Sequence, residues 1–230
     1  MSIKIYQVGG HVRDTLLGIK SKDIDYAVEA DSWGEMRAWV HTNCKTVFLE
    51  KPEFLTIRAL THTGQAVDFV MCRKDGAYSD GRHPNQVTAG TIYDDLARRD
   101  FTVNAMAINE ANDLIDPFNG LSDLRNQELK CVGLAEDRFN EDALRILRAM
   151  RFSITKHLNI SSDIRHVFKN PGTWIPKLEA ISSERKREEL YKCLAFSTPE
   201  TLGFLSNISP QWTRALFSDG LWLKPTMEQP

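Results

Sequence analysis

GGHVRDTLLGIKSKDIDYAV, from Gly9 to Val28, is the stretch whose reading decides the fold. The run before it, Ile3-Lys4-Ile5-Tyr6-Gln7-Val8, reads as a strand and ends at two glycines. A short amphipathic helix follows, with Val12, Leu16 and Leu17 as its apolar positions. A second strand then carries Asp23-Ile24-Asp25. Alternate residues of a strand share a face, so Asp23 and Asp25 are expected to aim two carboxylates at one spot while Ile24 and Tyr26 turn the other way. Such a pair repels itself unless a cation lies between its members, and hard oxygen ligands of this kind suit Mg²⁺. Gly9 and Gly10 stand just before a helix start, where backbone N–H groups can cradle an anion. A phosphate cradle and a divalent-metal site within one short stretch point to a nucleoside triphosphate between them.

Each part alone is common, since a Gly-Gly pair is usually a turn and a D-x-D is usually two solvated acids. The combination is more specific. A strand, Gly-Gly, a short helix ending in Leu16-Leu17-Gly18, and D-x-D in a second strand resemble the nucleotidyltransferase fold of the DNA polymerase β superfamily. The fuller string, GG-x-VRD-x-LLG followed by KD-x-D, resembles the head of class II tRNA nucleotidyltransferases, the CCA-adding enzymes, and of bacterial poly(A) polymerases. The resemblance implies an α+β fold, a polymerase β-like head with a mixed sheet and flanking helices followed by an all-helical neck. The boundary is expected near Gly133, giving a catalytic head over 1–133 and a neck over 134–230.

With 230 residues the chain can bury a core in one or two domains. Its four cysteines, Cys44, Cys72, Cys131 and Cys193, are far apart and form no C-x-x-C, which argues against a zinc site and a disulfide framework and fits a cytoplasmic protein. No signal peptide, transit peptide or long apolar span is visible, so no membrane partner is expected. The net charge of −2 excludes a generic polyanion binder. Positive charge is local instead: Arg98 with Arg99, the series Arg145, Arg148 and Arg151, and Arg185-Lys186-Arg187.

Further along, Ser32-Trp33-Gly34-Glu35 reads as a capping box opening a helix to about Asn43. Strand-like runs follow at 46–49, 55–60 and 65–72. In the last of these Asp68 interrupts an apolar strand, which is costly unless the acid has a partner. In the polymerase β superfamily a third carboxylate sits on such a strand, which makes Asp68 a catalytic candidate beside Asp23 and Asp25. Residues 73–90 read as a long polar loop. RRDFTVNAMA, within a run of helically spaced apolar positions from Thr91 to Ala107, resembles the family's RRDFTINAMA. There the resemblance implies that Arg99, Asp100 and Asn104, with Gly9, Gly10 and Arg13, hold the triphosphate and ribose. Arginine suits that task through its planar fork. Residues 107–115 read as a hairpin turning at Asn112-Asp113, and DPFNGLSDL resembles the family's DP-x-GG-x-x-DL, a hinge candidate with Asn119 in place of a glycine.

FNEDALRILRAMRF is predicted as one helix over Phe139–Phe152, with Glu141, Asp142, Arg145 and Arg148 on one face. Spacing alone permits a salt-bridged surface. The string also matches the family's base-reading motif, ED-x-x-R followed by RA-x-RF, which assigns the base pocket to Asp142, Arg145, Arg148 and Arg151. A carboxylate accepts from the exocyclic amino group that only C and A offer there. An arginine donates to their ring acceptors, whereas G and U turn a carbonyl oxygen toward the carboxylate and are repelled. As a whole the resemblance implies template-independent transfer of CMP and AMP from CTP and ATP to the 3′ end of tRNA, with Mg²⁺ held by Asp23 and Asp25. An A-adding enzyme or poly(A) polymerase shares these motifs, and a non-catalytic nucleotide- or RNA-binding module is the alternative of a different class. Family members continue into further helical domains that grip the RNA, so the expectation is a minimal enzyme, a truncated one, or a subunit for which a partner chain or a homo-oligomer replaces those domains.

Overall fold

A computed structural model describes residues 3–20, 24–76 and 86–217. They form two compact units, one up to Asn126 and one from Gln127.

In the first unit β1 (Lys4–Val8) leads into α1 (Gly10–Leu16), and β2 (Ile24–Glu29) into α2 (Trp33–Asn43). Next come β3 (Thr46–Lys51), β4 (Thr56–Leu60), β5 (Ala66–Met71) and a small ribbon of β6 (Arg73–Asp75) with β7 (Val87–Ala89). The ends of the segment expected as a loop are therefore paired; its middle lies outside the described residues. α3 (Ile92–Ala97), β8 (Ala107–Ile108), β9 (Leu114–Ile115) and α4 (Gly120–Arg125) complete the unit.

Among the described residues seven strands make one mixed sheet in the order β3-β4-β5-β2-β1-β8-β9. The β2–β5 pair is parallel and the other pairs are antiparallel. Strand alternation sends Tyr26, Val28, Ile57, Ala59, Val67, Phe69 and Met71 to one face, where Met36 and Val40 of α2 pack on them. Ser32 caps α2 by accepting from Glu35 N–H, while the Glu35 carboxylate accepts from Asp31 N–H rather than from the cap residue itself. The alternating positions Asp25 and Asp68 are left to the opposite face.

The second unit holds β10 (Glu128–Leu129), α5 (Ala135–Glu141), α6 (Leu144–Thr155), β11 (Asn159–Ile160), α7 (Ser162–Lys169), α8 (Pro171–Glu179), α9 (Ser183–Phe196), α10 (Thr198–Asn207) and α11 (Pro210–Phe217). α6 packs along α9, burying Ile146, Leu147, Met150, Leu190 and Cys193. Phe168 sits edge-on to both Phe204 and Trp212, and the indole N–H of Trp212 donates to the Phe168 carbonyl at 2.8 Å. The sequence places a boundary near Gly133 and an all-helical neck after it; in the structure Glu128–Leu129 pairs in parallel with Asn159–Ile160, so this short strand packs with the helices. All four cysteines are buried and free, and burial, the largest influence on both, pushes the Cys193 thiol up to about 12 and the Cys72 thiol well above its ordinary range.

Candidate active site

Four strands bring one row of residues into line on the face opposite α2. Val8 of β1 pairs with Asp25 of β2, Asp25 with Asp68 of β5, and Asp68 with Arg58 of β4. Register partners on neighbouring strands project to the same face, about 4.8 Å apart along the row. Asp25 is exposed although β2 is a central strand, so the sheet is open there. Both oxygens of Asp68 accept from the Arg58 guanidinium, at 2.6 and 2.5 Å. The sequence shows that Asp68 needs a partner but not which residue supplies it. Asp23, the other half of the D-x-D, lies outside the described residues.

Gly9 closes the row at the end of β1, with φ +71° and ψ −137°, a conformation closed to side chains. A Cβ there would lie 3.3 Å from Arg99 Nη1 and 3.8 Å from Asp25 Oδ2. The backbone turn, the Arg99 guanidinium and the Asp25 carboxylate thus converge on one point. The donor set fits a hard divalent cation: oxygen-only side chains on one face, with the Arg99 guanidinium close to Asp25 at Gly9. Among the described residues no group of three or more His, Cys, Asp or Glu side chains surrounds a metal position, so a metal at Asp25 and Asp68 would complete its shell from elsewhere.

RRDFTVNAMA builds the bed under this point. The helix predicted through Thr91–Ala107 stops at Ala97; Phe101 is extended and Thr102–Asn104 is a single 3₁₀ turn. Asp95, 1% exposed, accepts from Arg98 and, at 3.2 and 2.9 Å, from Arg99 Nε and Nη2. Burial alone would raise its carboxyl, but the Arg99 and Arg98 guanidiniums outweigh that and hold it below the ordinary carboxylate range. Arg99 Nη1 also donates to the Asn104 carbonyl at 3.1 Å. Arg13 Nη1 donates to Asn104 Oδ1 at 2.5 Å, and Asn104 Nδ2 donates to Asp100 Oδ1 at 3.3 Å. Arg13, Asp100 and Asn104 are all less than a tenth exposed, so they shape the bed from within. Gly10 lies against Arg13, whose Nη2 would be 3.3 Å from a Cβ there.

DPFNGLSDL braces that bed. Asp116 accepts from the Gly120 and Leu121 N–H groups at 2.7 and 2.9 Å, and Thr102 donates to Asp123 Oδ2 at 2.8 Å. Asn119 takes the left-handed conformation, φ 58°, in the place where the family has a glycine. A Cβ on Gly120 would fall 2.1 Å from the Thr102 carbonyl oxygen, so only glycine fits. Asp95, Asp116 and Asp123 are structural supports of this bed that sequence reasoning missed.

In the helical unit the single helix predicted over Phe139–Phe152 is two. α5 ends at Glu141, Asp142 is extended with φ −149° and ψ 105°, and α6 begins at Leu144. Asp142 Oδ1 accepts the Leu144 N–H at 2.9 Å, the local bond with which an aspartate favours a helix start over a helix interior. Asp142 therefore leaves the helix face on which it was expected with Arg145 and Arg148. Its other oxygen accepts from Arg185 of α9 at 3.3 Å. Arg145 Nη1 donates to Glu141 Oε2 at 2.6 Å and to the Arg138 carbonyl at 3.1 Å. Arg151 donates to Glu189 at 2.6 Å, Arg148 lies 3.8 Å from the same carboxylate, and both guanidiniums lie over the Phe152 ring. Glu189, 4% exposed, is a further residue that the sequence leaves hidden.

The glycine turn, the register-paired carboxylates and the buried arginine bed on a mixed sheet define a head of the nucleotidyltransferase fold. Residues 5–130 match the family described as Poly A polymerase head domain. The CCA-adding enzyme of Streptococcus agalactiae is 40% identical over 190 residues, 82% of this chain and 45% of that one. The crystal structure of Bacillus stearothermophilus CCA-adding enzyme in complex with CTP superposes with a TM-score of 0.77 at 31% identity, covering 90% of this chain and 48% of that one. A tRNA nucleotidyltransferase complexed with a primer tRNA and an incoming ATP analog gives 0.74 at 26% identity, covering 94% and 59%. The chain belongs to the poly A polymerase head domain family. It spans about half the length of the curated relatives it matches. No helix among the described residues is long and apolar enough to cross a membrane.

Proposed function

We propose that this chain carries the catalytic and base-selecting parts of a template-independent nucleotidyltransferase that adds CMP and AMP from CTP and ATP to the 3′ end of tRNA. The observation that carries this is the convergence of Asp25, in register with Asp68, on Gly9 and Arg99. Asp23, Asp25 and Asp68 would hold Mg²⁺, with Asp23 and Asp25 as the primary ligands. Bound there, divalent metal supplies charge stabilisation for phosphoryl transfer and lowers the pKa of the attacking hydroxyl. Arg99 faces the triphosphate, while Arg13, Asp100 and Asn104 hold the bed that fixes the Gly9–Gly10 turn against it. In the helical unit Asp142 and Arg145 select the base, Asp142 accepting from the exocyclic amino group of C or A and Arg145 donating to the ring acceptor, with Arg148 and Arg151 further along α6. The solved relatives in complex with CTP, and with a primer tRNA and an incoming ATP analog, support the choice of substrates.

The family description favours a second reading, an enzyme that adds A alone. Incubation with each labelled nucleoside triphosphate, Mg²⁺ and tRNA lacking its last three, two or one nucleotides tests both. CMP joining the first two acceptors and AMP the third supports CCA addition. AMP on every acceptor with no CMP supports the A-adding reading, and no incorporation on any acceptor overturns both.

A further inference from the structure

Arg58 is the member of the register row that no expectation covers. It stands opposite Asp68 on β4 as Asp68 stands beside Asp25 on β2. Its Nε donates to Asp68 Oδ1 and its Nη2 to Oδ2, so one planar guanidinium occupies both oxygens of the carboxylate. The Arg58 side chain is 50% exposed and that of Asp68 22%, so the fork sits at the open rim of the row, where solvent and ligands reach it. Two carboxylates side by side on one face repel, and the guanidinium offsets that repulsion as a metal ion would. It also fixes the plane of the Asp68 carboxylate, which a lysine in the same place would not do.

We propose that Arg58 is a positioning residue that holds the Asp68 carboxylate in a fixed plane and competes with the divalent cation for its oxygens, so that the site binds metal less tightly than its carboxylates alone would. This rests on the metal-binding reading of Asp25 and Asp68. A half-exposed cross-strand pair adds little to stability, so loss of Arg58 leaves the head folded. What it changes is the charge beside the metal. Removing one positive charge at this range from a partly solvated site raises divalent affinity by roughly 3- to 30-fold.

The test is direct Mn²⁺ titration, followed by electron paramagnetic resonance, of the wild-type chain and of Asp25→Asn, Arg58→Gln and Arg58→Lys, with Mg²⁺-dependent nucleotide incorporation measured alongside. Arg58→Gln is expected to bind Mn²⁺ about 3- to 30-fold more tightly yet turn over more slowly at saturating Mg²⁺. Arg58→Lys keeps the charge and loses the fork, so its Mn²⁺ affinity stays near wild type while its turnover falls. Arg58→Met takes the place of Arg58→Gln if that variant does not fold. Unchanged or weaker Mn²⁺ binding in the neutral variant, with Asp25→Asn losing Mn²⁺, overturns the role of Arg58 alone. Wild-type Mn²⁺ binding in Asp25→Asn overturns the metal reading beneath it. A pair that served only the sheet would lower thermal stability in both Arg58 variants and leave the Mn²⁺ affinity where it was.

Discussion

The head and the helical unit use the same chemistry, carboxylates against guanidiniums, at different depths. In the head Arg13, Asn104 and Asp100 are between 5% and 8% exposed and linked by hydrogen bonds, and Asp95, 1% exposed, is held by Arg99, which also donates to the Asn104 carbonyl. In the helical unit the pairs at the candidate base-reading residues are shallower on the carboxylate side: the Glu141 and Arg145 side chains are 18% and 13% exposed, and those of Asp142 and Arg185 are 19% and 28%. A buried charge whose partner is removed has no water to turn to, so the head network is rigid and expensive to break. A partly exposed ion pair exchanges one partner for a ligand at lower cost. The head therefore presents a fixed surface, and the helical unit presents groups able to change partners.

The largest effect should come from the carboxylates of the head row. Asp25→Ala is expected to lower incorporation by about 10⁴-fold, roughly 5.5 kcal/mol of transition-state stabilisation, with an unchanged melting temperature. Retention of wild-type, chelator-sensitive activity would remove Asp25 from the metal site. Next comes the buried bed. Asp95→Ala leaves Arg98 and Arg99 without their shared counter-ion and should cost about 3–5 kcal/mol in denaturant unfolding. A loss below about 1 kcal/mol would place this network with surface pairs and erase the contrast in depth. Its pH dependence has a definite sign. The folded carboxyl is depressed, so its stabilisation is complete above the ordinary carboxylate pKa of about 3.9 and is lost as pH falls below that toward the lower folded value. The stability difference between wild type and Asp95→Asn should accordingly shrink on acidification below about pH 4 and stay flat above about pH 5.

Effects in the helical unit should be smaller and selective. Asp142→Ala and Arg145→Ala should each change discrimination among the four nucleoside triphosphates by about 1–3 kcal/mol, or roughly 5- to 150-fold in kcat/KM. Asp142→Ala should relax selection against UTP and GTP, and Arg145→Ala should impair use of CTP and ATP. An unchanged four-way ratio in both would make the seam a structural surface only. The smallest effects compare two neighbours on α9. Glu189, which is buried and holds Arg151, should cost about 1.5–3 kcal/mol of stability as Glu189→Gln. Glu188 is exposed and pairs with Lys192, and Glu188→Gln should cost only about 0.3–0.5 kcal/mol in the same unfolding assay. Equal losses would mean that burial does not set the value of these pairs.

What was legible in the sequence was local. Gly9, the strand carrying Asp25, the cap at Ser32 and the turn at Asn112 all depend on neighbours within a few residues, and each lies where its spacing indicates. Partners set by strand register or helix packing were not legible. Arg58 for Asp68 and Glu189 for Arg151 are chosen by three-dimensional alignment, which spacing along one element cannot reveal. The break at Asp142 had a signal that periodicity obscured, since aspartate caps helices better than it continues them. The mixed sheet followed from the resemblance, whereas β11, the partner of β10, was hidden because two residues carry no period to detect.

The burial of all four cysteines has a practical consequence for labelling chemistry. Thiol reagents attack the thiolate, and Cys72 and Cys193 are both enclosed and shifted toward the protonated form. The folded chain should thus be nearly silent to maleimides at neutral pH. A single cysteine introduced at an exposed position such as Glu53 or Glu188 would then carry a fluorophore or spin label without prior removal of the native four. The same silence makes maleimide uptake a gauge of opening, because native thiols would react only in molecules whose cores have come apart.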